Sequence, residues 1–322
     1  MDKTLVVLTL ATMLGEGAPL VFAVIGETIT EKAGVTNLSL DGSILLSAMV
    51  GFAVAYITNN LYLGFLAAMI VSALVAALIA FSSIVLKLDQ IAVGFVLTML
   101  CTDLSTFFGN PFVRKPGPAV PHFAIPILAD IPVIGKLFFD QNVVVYLSFI
   151  LIAVAWWYIY KTQPGLKLQG IGERPAAAFA RGSNVNLQRF VYTIIGGALV
   201  GFAGASYSLL VKLGWSYHMT AGLGWIALSI VIFGGWHPIR GVVGVYIFGV
   251  LQSVSTFAQS AFPVIPTQVY QTAPFALMIL ALLLVSSETI DRFFSGSPVS
   301  RRIWQSLRGT PPGALSTTFE QE

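Results

Sequence analysis

The sequence predicts an all-α fold, a polytopic membrane bundle of about eight to ten transmembrane helices with discontinuous segments. Two observations carry that prediction. Of 322 residues, 56% are hydrophobic and only 10% charged, and the mean hydropathy is +0.84, whereas soluble domains carry about 25% charged residues. In addition, residues 42–86 and 241–287 are free of Asp, Glu, Lys and Arg over 45 and 47 residues, and one bilayer crossing takes about 20 residues. An ordinary cytosolic enzyme is excluded, and so is a disordered or collagen-like chain, because charge is low and the 30 glycines follow no fixed period.

Taken in order, the candidate spans are nine. The first covers residues 4–26; its apolar run is preceded only by Lys3 and followed by Glu16 and Gly17 rather than a small-x-small site, so it reads as a retained helix and not a signal peptide. The 42–86 stretch is broken into two by Thr58-Asn59-Asn60, and the 241–287 stretch into two by Pro263 and Pro266. The remaining spans are 91–108, 143–160, 190–211 and 222–235. The last contains Gly222, Gly224, Gly234 and Gly235, which suit a broken or re-entrant helix. The expected division is a transmembrane domain over 1–290 and a cytoplasmic tail over 291–322.

Lys and Arg set the orientation. With the C-terminus cytoplasmic, 12 of the 17 basic residues fall inside, among them Lys32, Lys87, Lys161, Lys167, Arg174, Arg181, Arg189 and Arg240. The outer loop 109–142 carries six prolines and reads as a structured cap, and the inner loop 161–189 is polar and basic. The single cysteine, Cys101, excludes an intrachain disulfide, and His122, His218 and His237 show no metal spacing. No catalytic residues and no metal ligands are expected.

Two constellations stand out. Gly26 to Gly42 is a polar, glycine-punctuated segment between apolar runs. It reads either as a hairpin loop or as a discontinuous element dipping into the membrane, with Asn37 and Asp41 one helical turn apart. In the inner loop, Pro175 followed by three alanines marks a helix start and Gly182 a helix stop. A short helix there, away from lipid, suits the grip of a partner protein, with a solvated connector as the plain alternative.

The run Gly165-Leu166, Gly172-Glu173-Arg174-Pro175-Ala176-Ala177 and Gly182-Ser183-Asn184-Val185 resembles the inner loop of bacterial ABC importer permeases for simple sugars, nucleosides and branched-chain amino acids. Glu31-Lys32-Ala33-Gly34-Val35-Thr36-Asn37 through Asp41-Gly42 is similar to that family's first signature, and Gly222-Leu223-Gly224-Trp225-Ile226-Ala227-Leu228 with Ile232-Phe233-Gly234-Gly235-Trp236-His237-Pro238 to its third. The nucleoside branch is the most similar. The chain departs at Gln169, where the family has Arg, at Asp41, where it has Glu, and at His237, where it has Asn.

The resemblance implies ATP-driven alternating access. It implies two permease subunits side by side (a homodimer or a paralogous heterodimer), two cytoplasmic ATP-binding cassette ATPases, and an extracytoplasmic substrate-binding lipoprotein, in a bacterial inner membrane. The chain lacks G-x-x-x-x-G-K-[ST], so ATP-Mg is expected on the partner ATPases and no cofactor on this chain. On this reading Gly172, Glu173, Arg174, Pro175, Ala176, Ala177, Arg181 and Gly182 form the ATPase-coupling segment, and Asn37, Asp41, Glu16, Asp103 and Trp225 are candidates for the substrate pathway.

Glu16 and Asp103 enter that set because acids inside apolar spans are costly in lipid. Gly197, Gly201 and Ala205 form a small-residue packing stripe, and Trp156, Trp157, Trp215, Trp225 and Trp236 read as interfacial anchors. Basic residues follow the membrane-side rule, so no nucleic-acid partner is expected. The competing function classes are a branched-chain amino acid permease of the same family, a carrier or channel working without an ATPase, and an integral-membrane enzyme.

Overall fold

A computed structural model describes residues 3–126, 128–220, 222–262, 264–286 and 309–320. Helix α1 is Lys3–Lys32, α2 Leu40–Thr58, α3 Leu61–Ala80, α4 Gln90–Gly109 and α5 Val143–Lys161. Two short helices follow, α6 (Gln163–Glu173) and α7 (Pro175–Ala180), then α8 (Val185–Ser206), α9 (Leu223–Phe233), α10 (Pro238–Ala261) and α11 (Thr267–Ser286). Among the described residues, seven helices, α1 to α5, α8 and α10, are long and apolar enough to cross a membrane. Helices α3 and α8 lengthen by one π-helical turn each, Phe81–Val85 and Tyr207–Val211.

Helix starts are written into the sequence by short polar side chains. Asn60 Oδ1 accepts the N–H groups of Tyr62 and Leu63, Asp89 that of Ala92, Asn142 that of Val145, Thr162 that of Gly165 and Asn184 that of Leu187. Each satisfies a backbone donor that has no intrahelical acceptor, worth about 1 kcal/mol per cap.

The core is built around α8, which packs against α1, α2 and α3. The small-residue stripe is the reason for the close approach. A Cβ on Gly197 would lie 2.3 Å from the Ala76 Cβ, and one on Gly201 would lie 2.4 Å from the Ala68 carbonyl oxygen. At one end, the outer loop is ordered as a two-stranded antiparallel hairpin, β1 (His122–Ala124) with β2 (Asp140–Asn142), pairing His122 with Asn142. The same loop hydrogen-bonds the end of α8, Val120 N–H donating to Leu209 O at 3.0 Å. The opposite, basic end collects the finish of α1 at Lys32, the finish of α5 at Lys161, helices α6 and α7, and residues 309–320.

Three expectations are corrected. Helix α1 runs to Lys32, so the first part of the polar segment is buried helix and not a hairpin loop: Glu27, Thr28, Thr30 and Glu31 are at most 3% exposed. The 222–235 span is an 11-residue helix, α9, reaching about 16 Å, roughly half the hydrocarbon thickness. Trp215 and Trp236 are buried at 1% and 7% and do not sit at an interface. The boundary expected at 290/291 falls outside the described residues, and residues 309–320 are folded against the bundle.

Candidate translocation cavity and coupling junction

The first and third signatures meet at the basic end, inside the protein. Trp236 Nε1 donates to Glu31 Oε2. The Asn37 backbone N–H donates to Glu27 Oε1 at 3.2 Å, and Glu27 Oε2 has no partner among the described residues. Buried carboxyls are held only where donors meet them, and here those donors come from the turn after α1 and from the α9–α10 turn. Asp41 Oδ1 accepts the Gly224 N–H at 3.0 Å, joining the first turn of α2 to the first turn of α9. A Cβ on Gly224 would sit 2.2 Å from Asp41 N, so only glycine allows this contact.

The segment between α1 and α2 descends alongside α4. Thr36 N–H donates to the Gln90 side chain at 2.8 Å, and the Thr98 hydroxyl donates to Leu38 O at 2.8 Å. Thr98 is about 12 Å further along α4 than Gln90, so α2 starts beside the third turn of α4. Asn37 lies ahead of the Ser39 cap and not on α2. Its Oδ1 accepts from the Ser39 N–H at 3.1 Å and the Ser39 hydroxyl at 2.7 Å. The helical-turn spacing expected between Asn37 and Asp41 therefore does not exist.

The second signature joins the same junction. A Cβ on Gly172 would lie 2.0 Å from the Lys32 carbonyl oxygen, which places the end of α6 directly on the end of α1. Beyond it, α7 starts at Pro175 and ends in a Schellman turn. Ser183 N–H donates to Ala178 O at 3.1 Å, Gly182 N–H to Phe179 O at 2.8 Å, and Gly182 holds φ +83°. Glu173 closes α6 rather than opening α7, and its Oε2 accepts the Gly313 N–H at 3.1 Å. Arg174, Ala176, Ala177, Arg181 and Gly182 are exposed, and Pro175 is half-buried. Gln169 turns inward, donating to Ile159 O at 2.7 Å.

Toward the hairpin end, a cavity of about 520 Å³ opens between α1, α9, α10 and α11. Its walls include Glu16, Tyr207, Thr220, Phe248, Gln252 and Phe275, with Leu223 and Ile226 of α9 among them. The Phe248 and Phe275 rings meet edge-on with centroids 6.1 Å apart. A second concavity of about 550 Å³ lies beside the β-hairpin, and Glu16 borders both. Of the pathway candidates, Glu16 alone lines these two cavities. Asn37 and Asp41 belong to the junction, Asp103 is exposed on α4 and borders neither cavity, and Trp225 packs at 5.5 Å against Phe95. Among the described residues, no group of three or more His, Cys, Asp or Glu could hold a metal ion.

Glu27, Glu31, Trp236 and Arg189 were not singled out as functional in the sequence. Two acids one turn apart at the end of an apolar run were the available signal, because such groups persist only where donors await them.

A helical membrane bundle with a cavity at one end, and an ordered polar surface joined to it at the other, defines a permease-type subunit. The chain belongs to the branched-chain amino acid transport system / permease component family, whose model matches residues 9–284. It is 38% identical over 245 residues to a Haloferax volcanii protein named "Putative glucose ABC transporter permease protein TsgC13", covering 75% of this chain and 74% of that one. The nucleoside ABC transporter permease protein NupC of Lactococcus lactis is 30% identical, with 87% and 92% covered. The guanosine ABC transporter permease protein NupQ of Bacillus subtilis is 32% identical, with 82% and 88% covered. No solved structure matches the chain.

Proposed function

We propose that this chain is the membrane-spanning subunit of an ATP-driven importer for nucleosides or related sugars, working beside a second permease subunit. Two cytoplasmic ATP-binding cassette ATPases bind ATP-Mg and grip α6–α7, and an extracytoplasmic binding protein delivers solute to the hairpin end. The basic end is then cytoplasmic, in keeping with the excess of Lys and Arg there.

One observation carries this reading: α9 bridges the two sites. Its first turns, at Leu223 and Ile226, line the cavity, and three residues beyond its end Trp236 is bonded to Glu31, next to the Lys32 carbonyl on which Gly172 of α6 rests. A displacement of the coupling segment therefore reaches the cavity floor through one rigid 11-residue helix. Such a link supplies the coupling free energy that alternating access needs, because two sites bias one two-state element.

The cavity wall suits a ring-bearing polar solute. The edge-on Phe248–Phe275 pair offers apolar ring faces, and Gln252 and Thr220 offer hydrogen-bonding groups. The guanosine and nucleoside relatives point the same way. The test is uptake into proteoliposomes holding the permease pair, its ATPases and its binding protein, with labelled nucleoside, glucose and leucine offered in turn. ATP-dependent nucleoside uptake is expected. Uptake without ATP would convert the reading to an autonomous carrier, and leucine uptake alone would move the chain to the amino acid branch.

A further inference from the structure

Residues 309–320 lie as a strap across the basic end, with a turn at 313–316, and the structure shows what holds it there. Ala314 N–H donates to Gly172 O at 2.8 Å, Ser316 N–H to Gly34 O at 3.2 Å, and the Thr36 and Ser316 hydroxyls are 2.6 Å apart. The Phe319 ring meets Phe179 of α7 edge-on at 6.0 Å, and Glu320 pairs with Lys87 from the α3–α4 connection. One strap thus touches the turn after α1, the end of α6, α7 and the α3–α4 connection.

Arg189, in the first turns of α8, is the centre of this arrangement. It is 2% exposed. Its Nη1 donates to Thr317 O at 2.9 Å, and its Nη2 lies 3.5 Å from both Ala314 O and Ile171 O. A buried guanidinium ordinarily faces a carboxylate; this one is met by carbonyls of the strap and of α6. A planar fork of donors suits that task, since it can serve several fixed acceptors at once.

We propose that Arg189 and the strap form a clamp that makes the coupling helices α6–α7 move as one body with the basic ends of α1 and α8. Arg189 is then a positioning residue for coupling, acting through the strap without touching solute. The inference rests on the importer reading above. Without the clamp, α6 still rests on α1 at Gly172 and α7 keeps its contacts with α6 and α8, but Phe179 loses the Phe319 ring and the end of α6 loses the strap, so part of a push from the ATPase is spent in moving α6–α7 against the bundle.

The test uses the full permease pair with its ATPases in proteoliposomes. Four variants are compared with wild type: deletion of residues 309–322, Arg189→Met, Arg189→Lys, and the deletion combined with Arg189→Met. The deletion removes a surface segment, so it stays informative even where Arg189→Met fails to insert. The ATPases should still copurify with the deletion variant, while solute taken up per ATP hydrolysed falls at least tenfold. Arg189→Lys should retain part of the coupling, and the combined variant should be no worse than either single change. Hydrogen exchange gives a readout that needs no ATPase: amides of residues 163–180 should exchange at least tenfold faster in the deletion variant. Unchanged exchange, unchanged uptake per ATP, or multiplied losses in the combined variant would each overturn the clamp. A wild-type chain that binds no ATPase, yet shows the faster exchange on deletion, would refute the importer reading and leave the clamp standing.

Discussion

The contact between α6 and α1 offers the sharpest perturbation, Gly172→Ala. The new Cβ would lie 2.0 Å from the Lys32 carbonyl oxygen, whereas an ordinary carbon–oxygen contact is about 3.3 Å. The two helix ends must therefore part by roughly 1.3 Å. Overpacking of this kind costs about 1–3 kcal/mol. The bond from Ala314 N–H to Gly172 O, now 2.8 Å, is strained in the same movement, and losing it costs about another 1 kcal/mol. The sum, about 2–4 kcal/mol, shifts the balance between seated and unseated α6 by a factor of roughly 30 to several hundred. The chain carries its own reporter: Cys101 is the single cysteine and is 2% exposed, so a thiol-reactive dye reads unfolding in detergent. A control lies two residues away in the same helix, because a Cβ on Gly170 meets nothing within 4 Å. Gly170→Ala should unfold at or slightly above the wild-type temperature, since alanine is favoured over glycine in a helix by about 1 kcal/mol. Gly172→Ala should unfold below it and lose ATP-driven uptake. If the two alanine variants behave alike, the close approach of α6 to α1 is not a constraint and the reasoning fails.

Four further outcomes are expected. Ala177→Trp, placed on the exposed face of α7, should leave membrane insertion intact while abolishing ATPase association and uptake together; normal association in a pull-down would make α6–α7 a mere connector. Trp236→Phe keeps the ring buried but leaves Glu31 Oε2 without its donor, which costs about 1–3 kcal/mol; an unchanged Cys101 unfolding temperature would count against the junction. Ser183→Cys in a Cys101→Ser background should resist an impermeant thiol reagent applied to intact cells, and strong labelling would reverse the orientation. The Lys87 ammonium holds the Glu320 carboxyl below the usual carboxylate range. A carboxyl lowered in the folded state contributes above its ordinary range and loses that contribution as pH falls through the lowered value. Protease sensitivity of the strap should thus rise on acidification below about pH 4 and on adding salt, and Glu320→Gln should abolish the pH dependence.

Hydropathy placed most of the spans, because the bilayer dictates span length and forbids unpaired backbone in lipid. The polar helix starts at Asn60, Asp89, Asn142, Thr162 and Asn184 are local devices, each completed within three residues of its own position. The Pro175 start and Gly182 stop of α7 are legible for the same reason: both depend on the φ angle of one residue. Those two residues, together with the resemblance, are what marked residues 172–182 as a candidate coupling segment.

What the signatures do with one another was decided by tertiary structure alone. Glu31 and Trp236 are 205 residues apart, and Asp41 and Gly224 are 183 apart; no periodicity or spacing encodes that they share hydrogen bonds. Asn37 and Asp41, polar beside an uncharged stretch, suggested a solute pathway; the fold places Asp41 between the starts of α2 and α9 and Asn37 against Ser39, partners that the sequence does not show. Trp215 and Trp236 show the same limit, since an indole at a span end is an interfacial anchor or a buried donor depending on what packs over it. The strap is the extreme case: twelve residues of ordinary polar composition, placed by backbone hydrogen bonds to Gly34 and Gly172 and by one buried arginine. Backbone groups are the same at every position, so a site they build leaves no mark in the residue types. Local chemistry was readable one helix end at a time, and the distant partner of each buried polar group was chosen only when the chain closed on itself.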